Sequence, residues 1–283
     1  MPTPNILTDT TPVLDPSDPT VANCVITDAW GLYYAQGGVV MAAALRAMEA
    51  VLDRPDLALA SAGATFCLPV ACGPVSTEVD VLRSGRRGAQ VHGALRDASA
   101  PDRRSNVVVT AVFTDPRLPG PSRSPLPRPA ELSVPPDGPA DSADRARFPL
   151  GFLDNTEWHL ASTSGRCLGI GGPVPRAALW FRFSDPPAAP GVDWAPALLP
   201  IPGDSLGSAL VVALGGGEAP VGSVSLQIGI QVFAPVRGSW IGIDSTCTHV
   251  GNGLASGLLH LWSESGVHVA TVTQTAMLRS LDG

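Results

Sequence analysis

The sequence predicts an α+β chain in which one unit, a helix followed by an antiparallel meander of strands, occurs twice in tandem. Three observations predict it. The stretch G37-G-V-V-M-A-A-A-L-R-A-M-E-A-V-L52 is apolar nearly all round and is followed by alternating segments of strand length. The same order of elements returns after a stretch that has no periodicity at all. A fixed offset of 166 lays Gly37-Gly38 on Gly203-Asp204, Pro69-Val70 on Pro235-Val236 and Gly85 on Gly251. Two copies are too few for a solenoid, so the pattern reads as a dimer fused into one chain.

Residues 1–22 are rich in Pro, Thr and Asp and read as an irregular lead-in. The first unit, residues 23–114, opens with the helix at 37–52, whose thin polar edge is Arg46, Glu49 and Asp53, a spacing that leaves most of its surface to be buried. Strands follow at 60–68, 75–82, 90–96 and 106–113, with a turn at S84-G-R-R-G88. Residues 115–148 lose all periodicity and read as a Pro-rich linker. The second unit, residues 149–283, repeats the plan: early strands at 158–164 and 178–183, a helix at 204–214, then strands at 223–233, 240–248 and 258–262 and a last one from Ala270 to Leu278.

Composition removes several classes of function. All 18 basic side chains are arginines, a bias typical of GC-rich bacterial coding sequences. Without lysine the chain forms no Schiff base and carries no P-loop lysine. A net charge of −7 and the absence of a basic run argue against nucleic acid and anionic membrane as partners. The N-terminus lacks the basic and apolar regions of a signal peptide, and no uninterrupted apolar run spans a membrane, so the expected location is the cytoplasm. The five cysteines are scattered without C-x-x-C or zinc spacing and read as reduced thiols, mostly core filler, with no metal site. S162-T-S164 lacks the G-x-S-x-G frame of a nucleophile elbow. His92, His260 and His268 have no acid partner evident in sequence, and His249, just before the G-N-G turn, reads as a surface histidine.

The chemistry is expected in the second unit. In A270-T-V-T-Q-T-A-M-L278, alternation puts Gln274 on the face of Ala270, Val272, Ala276 and Leu278, where an unpaired amide costs about 1–3 kcal/mol. It therefore requires a partner. Asp204, at the start of the second helix, has Gly38 as its counterpart, and the first unit offers no amide opposite Gln274. A scaffold residue should recur in a duplicated fold, whereas a site residue need occur once. Taken singly, Asp204 reads equally well as a helix N-cap and Gln274 as a satisfied core amide; together they could hold and deprotonate a water.

The order of elements, and above all D204-S-L, Pro235-Val236, T246-C-T-H-V-G-N-G253 and L259-H-L-W-S-E-S-G-V-H-V-A-T-V-T-Q-T-A-M-L-R279, resembles the acyl-CoA thioesterase II group of the thioesterase-like double hot-dog superfamily. G37-G-V-V and G85-R-R-G88 resemble its first half and A-L-W-F-R-F at 178–183 its strand before the second helix. The resemblance implies a double hot-dog fold, two tandem antiparallel sheets each wrapped around a helix. It also implies hydrolysis of an acyl thioester by a water held on Asp204, Ser225 and Gln274, with serine in place of the usual threonine. Strict alternation puts Ser225 on the polar face of its strand, and a bulge or a twist at the strand start could re-aim it. Backbone N–H groups at the helix start would face the oxyanion. Gly37, Gly38, Arg86 and Arg87 are the expected substrate-binding residues, the arginines toward coenzyme A phosphates or the acidic face of an acyl carrier protein. No cofactor is expected beyond the coenzyme A or phosphopantetheine of the substrate, and the fused pair is compatible with a monomer or a homo-oligomer. A dehydratase or cyclase acting on an acyl or polyketide intermediate, and a non-catalytic acyl-binding protein, are the alternatives on the same scaffold.

Overall fold

The computed structural model describes residues 3–97, 104–137, 150–161, 174–215 and 221–280. In chain order the elements are α1 (Ile6–Asp9), β1 (Val13–Asp15), β2 (Asp18–Ile26), α2 (Gly37–Leu52), β3 (Ala58–Phe66), β4 (Gly73–Gly85), β5 (Gly88–Asp97) and β6 (Val107–Thr114). Then follow α3 (Gly151–Asp154), β7 (Thr156–Leu160), β8 (Arg176–Phe183), α4 (Pro200–Gly203), α5 (Gly207–Ala213), β9 (Val221–Val232), β10 (Ile241–Gly251), β11 (Leu254–Ser263) and β12 (His268–Ser280). The strands form one antiparallel sheet in the order β1-β2-β4-β5-β6-β3-β9-β12-β11-β10-β8-β7. That order is mirrored about its middle. The two halves join where β3 pairs with β9, from Ser61↔Gln231 through Gly63↔Gly229 to Thr65↔Gln227.

The helix α2 forms where its sequence says it should, because Ala, Leu and Met are strong helix formers and Asp53 ends it in a left-handed conformation at φ 47°. From Val39 to Leu45 every side chain is buried. One side of α2 packs on β2, β4, β5 and β6, and the other on α4 and the 3₁₀ turn Pro196–Leu198. Burying each of Val39, Val40, Met41, Leu45 and Met48 contributes about 1.5–3 kcal/mol. Its N-terminus meets the second half at backbone distance: a Cβ on Gly38 would collide with the carbonyl of Pro200 and the Cα of Ile201.

Three expectations are corrected. Residues 1–22 are not an irregular lead-in: Asn5 caps α1 by accepting from Leu7 N at 3.0 Å and Thr8 N at 3.2 Å, and β2 pairs with β4 from Val21↔Glu78 to Ile26↔Gly73. β1 lies at the sheet edge and β2 beside it, and the exposed start of β2, Asp18-Pro19-Thr20, tolerates proline and polar residues, which hid both strands in the composition. The helix expected at 204–214 is broken. Pro200, Pro202 and Gly203 confine the first piece to α4, Asp204 lies beyond it at φ −86°, ψ 56°, and α5 begins only at Gly207. Asp204 is thus the C-cap of α4 rather than the N-cap of a long helix.

The third correction concerns the linker. Its described part, up to residue 137, packs on the second half: Leu132 is fully buried beside Gly242 and Trp180, Glu131 pairs with Arg176 at 3.0 Å, and Arg128 donates to the Glu264 carbonyl at 3.1 Å. Residues 138–148, like Cys167 and S162-T-S164, lie outside the described residues. Three of the four described cysteines pack on hydrophobic clusters, as a core-filling role expects. Of the four described, all free, Cys247 is buried, Cys24 and Cys72 border the core, and Cys67 is exposed. The segment Pro196–Ala213 is apolar and long enough to cross a membrane by composition, but it is interrupted between α4 and α5 and 61% of it is buried inside the protein.

The close approach at Gly38 makes a clear demand. Gly38→Ala should destabilise the chain by about 1–3 kcal/mol, seen as a lower urea midpoint at unchanged m-value.

Candidate functional site

Alternation along β12 holds, so Gln274 points inward with Ala270, Val272 and Ala276 and is 6% exposed. Its partners are those the sequence called for. Gln274 Nε2 donates to Asp204 Oδ1 at 2.5 Å and to Ser225 Oγ at 2.8 Å, while its Oε1 accepts from Leu206 N at 3.1 Å. Ser225 Oγ donates to Asp204 Oδ1 at 2.7 Å. Two side chains, 21 and 70 positions away in sequence, thus close on one carboxylate oxygen.

Ser225 reaches the site through a bulge. Between β9 and β12 the register runs Gln227↔Thr275 and then Ser225↔Ala276, which leaves Leu226 as an extra residue on β9. The extra residue turns Ser225 onto the face of Ile228 and Ile230. The same bulge occurs in the first half, where Leu59↔Phe113 is followed by Ser61↔Val112 and Ala60 is the extra residue. Matching the two ladders gives Leu59 as the counterpart of Ser225 and Ala111 as that of Gln274. The bulge therefore belongs to the scaffold, and the hydroxyl, amide and carboxylate belong to the second half alone.

The other carboxylate oxygen is held from the first half. Asp204 Oδ2 accepts from Gly38 N at 3.0 Å and from Gln36 Nε2 at 2.9 Å. A Cβ on Gly37 would stand 2.7 Å from this oxygen, so Gly37 and Gly38 both sit at the site. Sequence reasoning missed Gln36. It precedes α2 and caps it by accepting from Val39 N at 2.8 Å, a position where Ser, Thr, Asp or Asn is the usual signal. The oxyanion expectation is changed by these contacts: Gly38 N, Val39 N and Leu206 N at the helix starts already donate to side chains.

Arg86 and Arg87 are not brought together with Asp204. They lie exposed at the tip of the β4–β5 hairpin, where Arg54 donates to the Gly85 carbonyl at 3.1 Å and to the Arg86 carbonyl at 3.3 Å. Arg54 follows the C-terminus of α2, and Asp204 is at its N-terminus, so a 16-residue helix, roughly 24 Å, separates them. His260 and His268 share the Thr271 hydroxyl at 3.1 and 3.2 Å on the sheet face opposite Gln274, and His249 is exposed. A cavity of about 390 Å³ bordered by Glu49, Arg54 and Phe113, and another of about 930 Å³ bordered by Asn23, Val75 and Arg96, both leave Asp204 out of their walls.

Burial is the dominant influence on Asp204 and pushes its carboxyl up to about 6, against the donors Ser225, Gly38, Gln274 and Gly37, which pull it down. Asp204 as a residue keeps partial exposure, which leaves it within reach of a water. Because its folded value is raised above the ordinary 3.8, the folded state is favoured by protonation. That contribution is fully present below about pH 4 and is lost as pH rises through 6. Unfolding measured across this window should show a loss of about 3 kcal/mol that is absent from Asp204→Asn.

Residues 26–114 match the family model described as the acyl-CoA thioesterase N-terminal domain, and residues 129–278 match that of the acyl-CoA thioesterase C-terminal domain. No curated protein matches the chain significantly. Among solved structures, a candidate thioesterase II from Thermobifida fusca is 21% identical, with 99% of each chain covered and a TM-score of 0.76. Acyl-CoA thioesterase II TesB2 from Mycobacterium marinum is 20% identical, with 97% of this chain and 98% of that one covered and a TM-score of 0.73. A conserved protein with the hot-dog fold from Alicyclobacillus acidocaldarius is 18% identical, with 98% and 99% covered and the same TM-score, 0.73. At these identities the likeness shows the fold.

Proposed function

The chain belongs to the acyl-CoA thioesterase family, with the hot-dog fold and the hydrolase activity this carries, and from that premise we propose that Asp204 is its general base. The observation that carries the reading is the convergence of Ser225 Oγ and Gln274 Nε2 on Asp204 Oδ1, in a half whose duplicate has Leu59, Ala111 and Gly38 instead. A duplicated core has no packing reason to bury three polar groups in one copy only, since each must find partners or cost stability.

In the proposed reaction, ionised Asp204 takes a proton from a water while that water's oxygen attacks the thioester carbonyl carbon. Ser225 and Gln274 fix the carboxylate's orientation, so the water meets a preset acceptor. The tetrahedral intermediate then expels the thiolate, which takes the proton from Asp204, giving a carboxylic acid and a free thiol. A thiol's ordinary value near 8.5 makes it a good leaving group, so a single carboxyl suffices as base and then acid. The raised value of Asp204 suits both roles: it is ionised at neutral pH and still binds a proton more readily than a surface aspartate. The substrate is an acyl thioester of coenzyme A or of a carrier-bound phosphopantetheine arm.

The test follows thiol release from a panel of acyl-CoAs of increasing chain length. Asp204→Asn should lower kcat by about 10²–10⁴-fold. Gln274→Ala should lose activity in the same direction, and Ser225→Thr should keep most of it because the hydroxyl remains. Wild-type turnover by Asp204→Asn would remove the base from this mechanism, and product formation without thiol release would point to dehydration or cyclisation.

A further inference from the structure

We propose that Gln36 is a positioning residue of the first half that holds Asp204 Oδ2 in the resting site and yields it to the attacking water by turning its amide to neighbouring backbone carbonyls. The inference rests on the hydrolytic reading of Asp204 and extends it to the step by which water enters. A carboxylate offers about four lone-pair positions. Here Ser225, Gln274, Gly38 and Gln36 already occupy them. A water can give its proton to Asp204 only if one of these donors leaves.

The donors differ in how freely they can go. Gly38 N is main chain, pressed against Pro200 and Ile201. Gln274 is pinned at both ends, by Leu206 N on its Oε1 and by Ser225 and Asp204 on its Nε2. The Ser225 hydroxyl proton goes to Asp204. Gln36 Nε2 is different: besides Oδ2 it has the Ile201 and Asp204 carbonyls, each at 3.5 Å. These are too long to be strong bonds now, but they are acceptors in reserve for a donor that is 4% exposed and would otherwise be stranded. Its Oε1 stays on Val39 N, so a small rotation of the amide frees Oδ2 without uncapping α2. The side chains facing the carboxylate, Gln36 from the turn before α2, Ser225 from β9 and Gln274 from β12, do not titrate, and no charged group is among the influences on Asp204.

Two variants test the assignment. Gln36→Met has similar length with neither donor nor cap, whereas Gln36→Glu keeps an acceptor for Val39 N and loses only the donor. Thiol release from an acyl-CoA accepted by the wild type is followed from pH 4 to 9 for kcat and KM separately, and unfolding is followed across the same range without substrate. With a donor to the charged form removed, the acid limb of kcat should move up by about one pH unit and kcat should fall about tenfold with KM within about twofold. Gln36→Glu should move the limb the same way, and further, because a second carboxylate faces the first. Profiles of Gln36→Met that superimpose on the wild type overturn the proposal; if that variant does not fold, superimposed profiles of Gln36→Glu do so. Asp204→Asn keeps the two readings apart: full activity there removes the base, while the pH dependence of unfolding in Gln36→Met still reports on the Gln36 contact.

Discussion

The structure turns on one buried carboxylate. Asp204 is placed where an ionised group is costly, and what makes it tolerable is a ring of donors drawn from the segment before α2, from α2 itself, from β9 and from β12. Each donor imposes a condition on the fold. The main-chain donor requires two helix ends to meet without side chains between them, hence Gly37 and Gly38. The hydroxyl requires the extra residue at Leu226. The amide requires the phase of β12 to keep residue 274 inward and the break before α5 to bring Leu206 N onto it.

Those conditions explain why the helix of the second half is broken while α2 is continuous. In the first half, Gly38 lies inside a regular turn and offers its N–H outward to the neighbour. In the second, the equivalent residue must offer a side chain, and prolines at 200 and 202 stop the helix so that Asp204 leaves it with non-helical torsions. Across the seam between the halves Gly38 and Gln36 reach Asp204, and the seam is backed by β3–β9 pairing that makes a single sheet of the two.

Much of this was legible in the sequence, for physical reasons that differ by residue. Gln274 could be placed because a strand has period two and an amide on an apolar face must be satisfied. The duplication was legible because turns and helix starts need glycine and proline at fixed places, and these survive where side chains diverge. Ser225 was readable only as a conflict, since its parity was wrong and alternation alone could not say whether a bulge or a twist reconciles it; the twin bulge at Ala60 carries no signature in composition. Strand β1, at the sheet edge, and β2 beside it were missed because their exposed residues show little alternation, and Gln36 because glutamine is an uncommon cap and its second partner comes from 168 residues away. The hairpin arginines were legible as charge, but their distance from the carboxylate is set by the length of α2, which no local pattern of theirs reveals.

The paired bulges have a consequence for symmetry. Two identical subunits related by a twofold axis must present every residue twice, so neither can lack a side chain that the other carries. Here the matching ladders carry Leu59 and Ala111 where the other copy carries Ser225 and Gln274, and Gly38 faces Asp204 across the seam. A fused chain is free of that constraint: among the described residues one half carries the carboxylate, hydroxyl and amide, while the other supplies the backbone N–H of Gly38 and the amide of Gln36 to the same carboxylate.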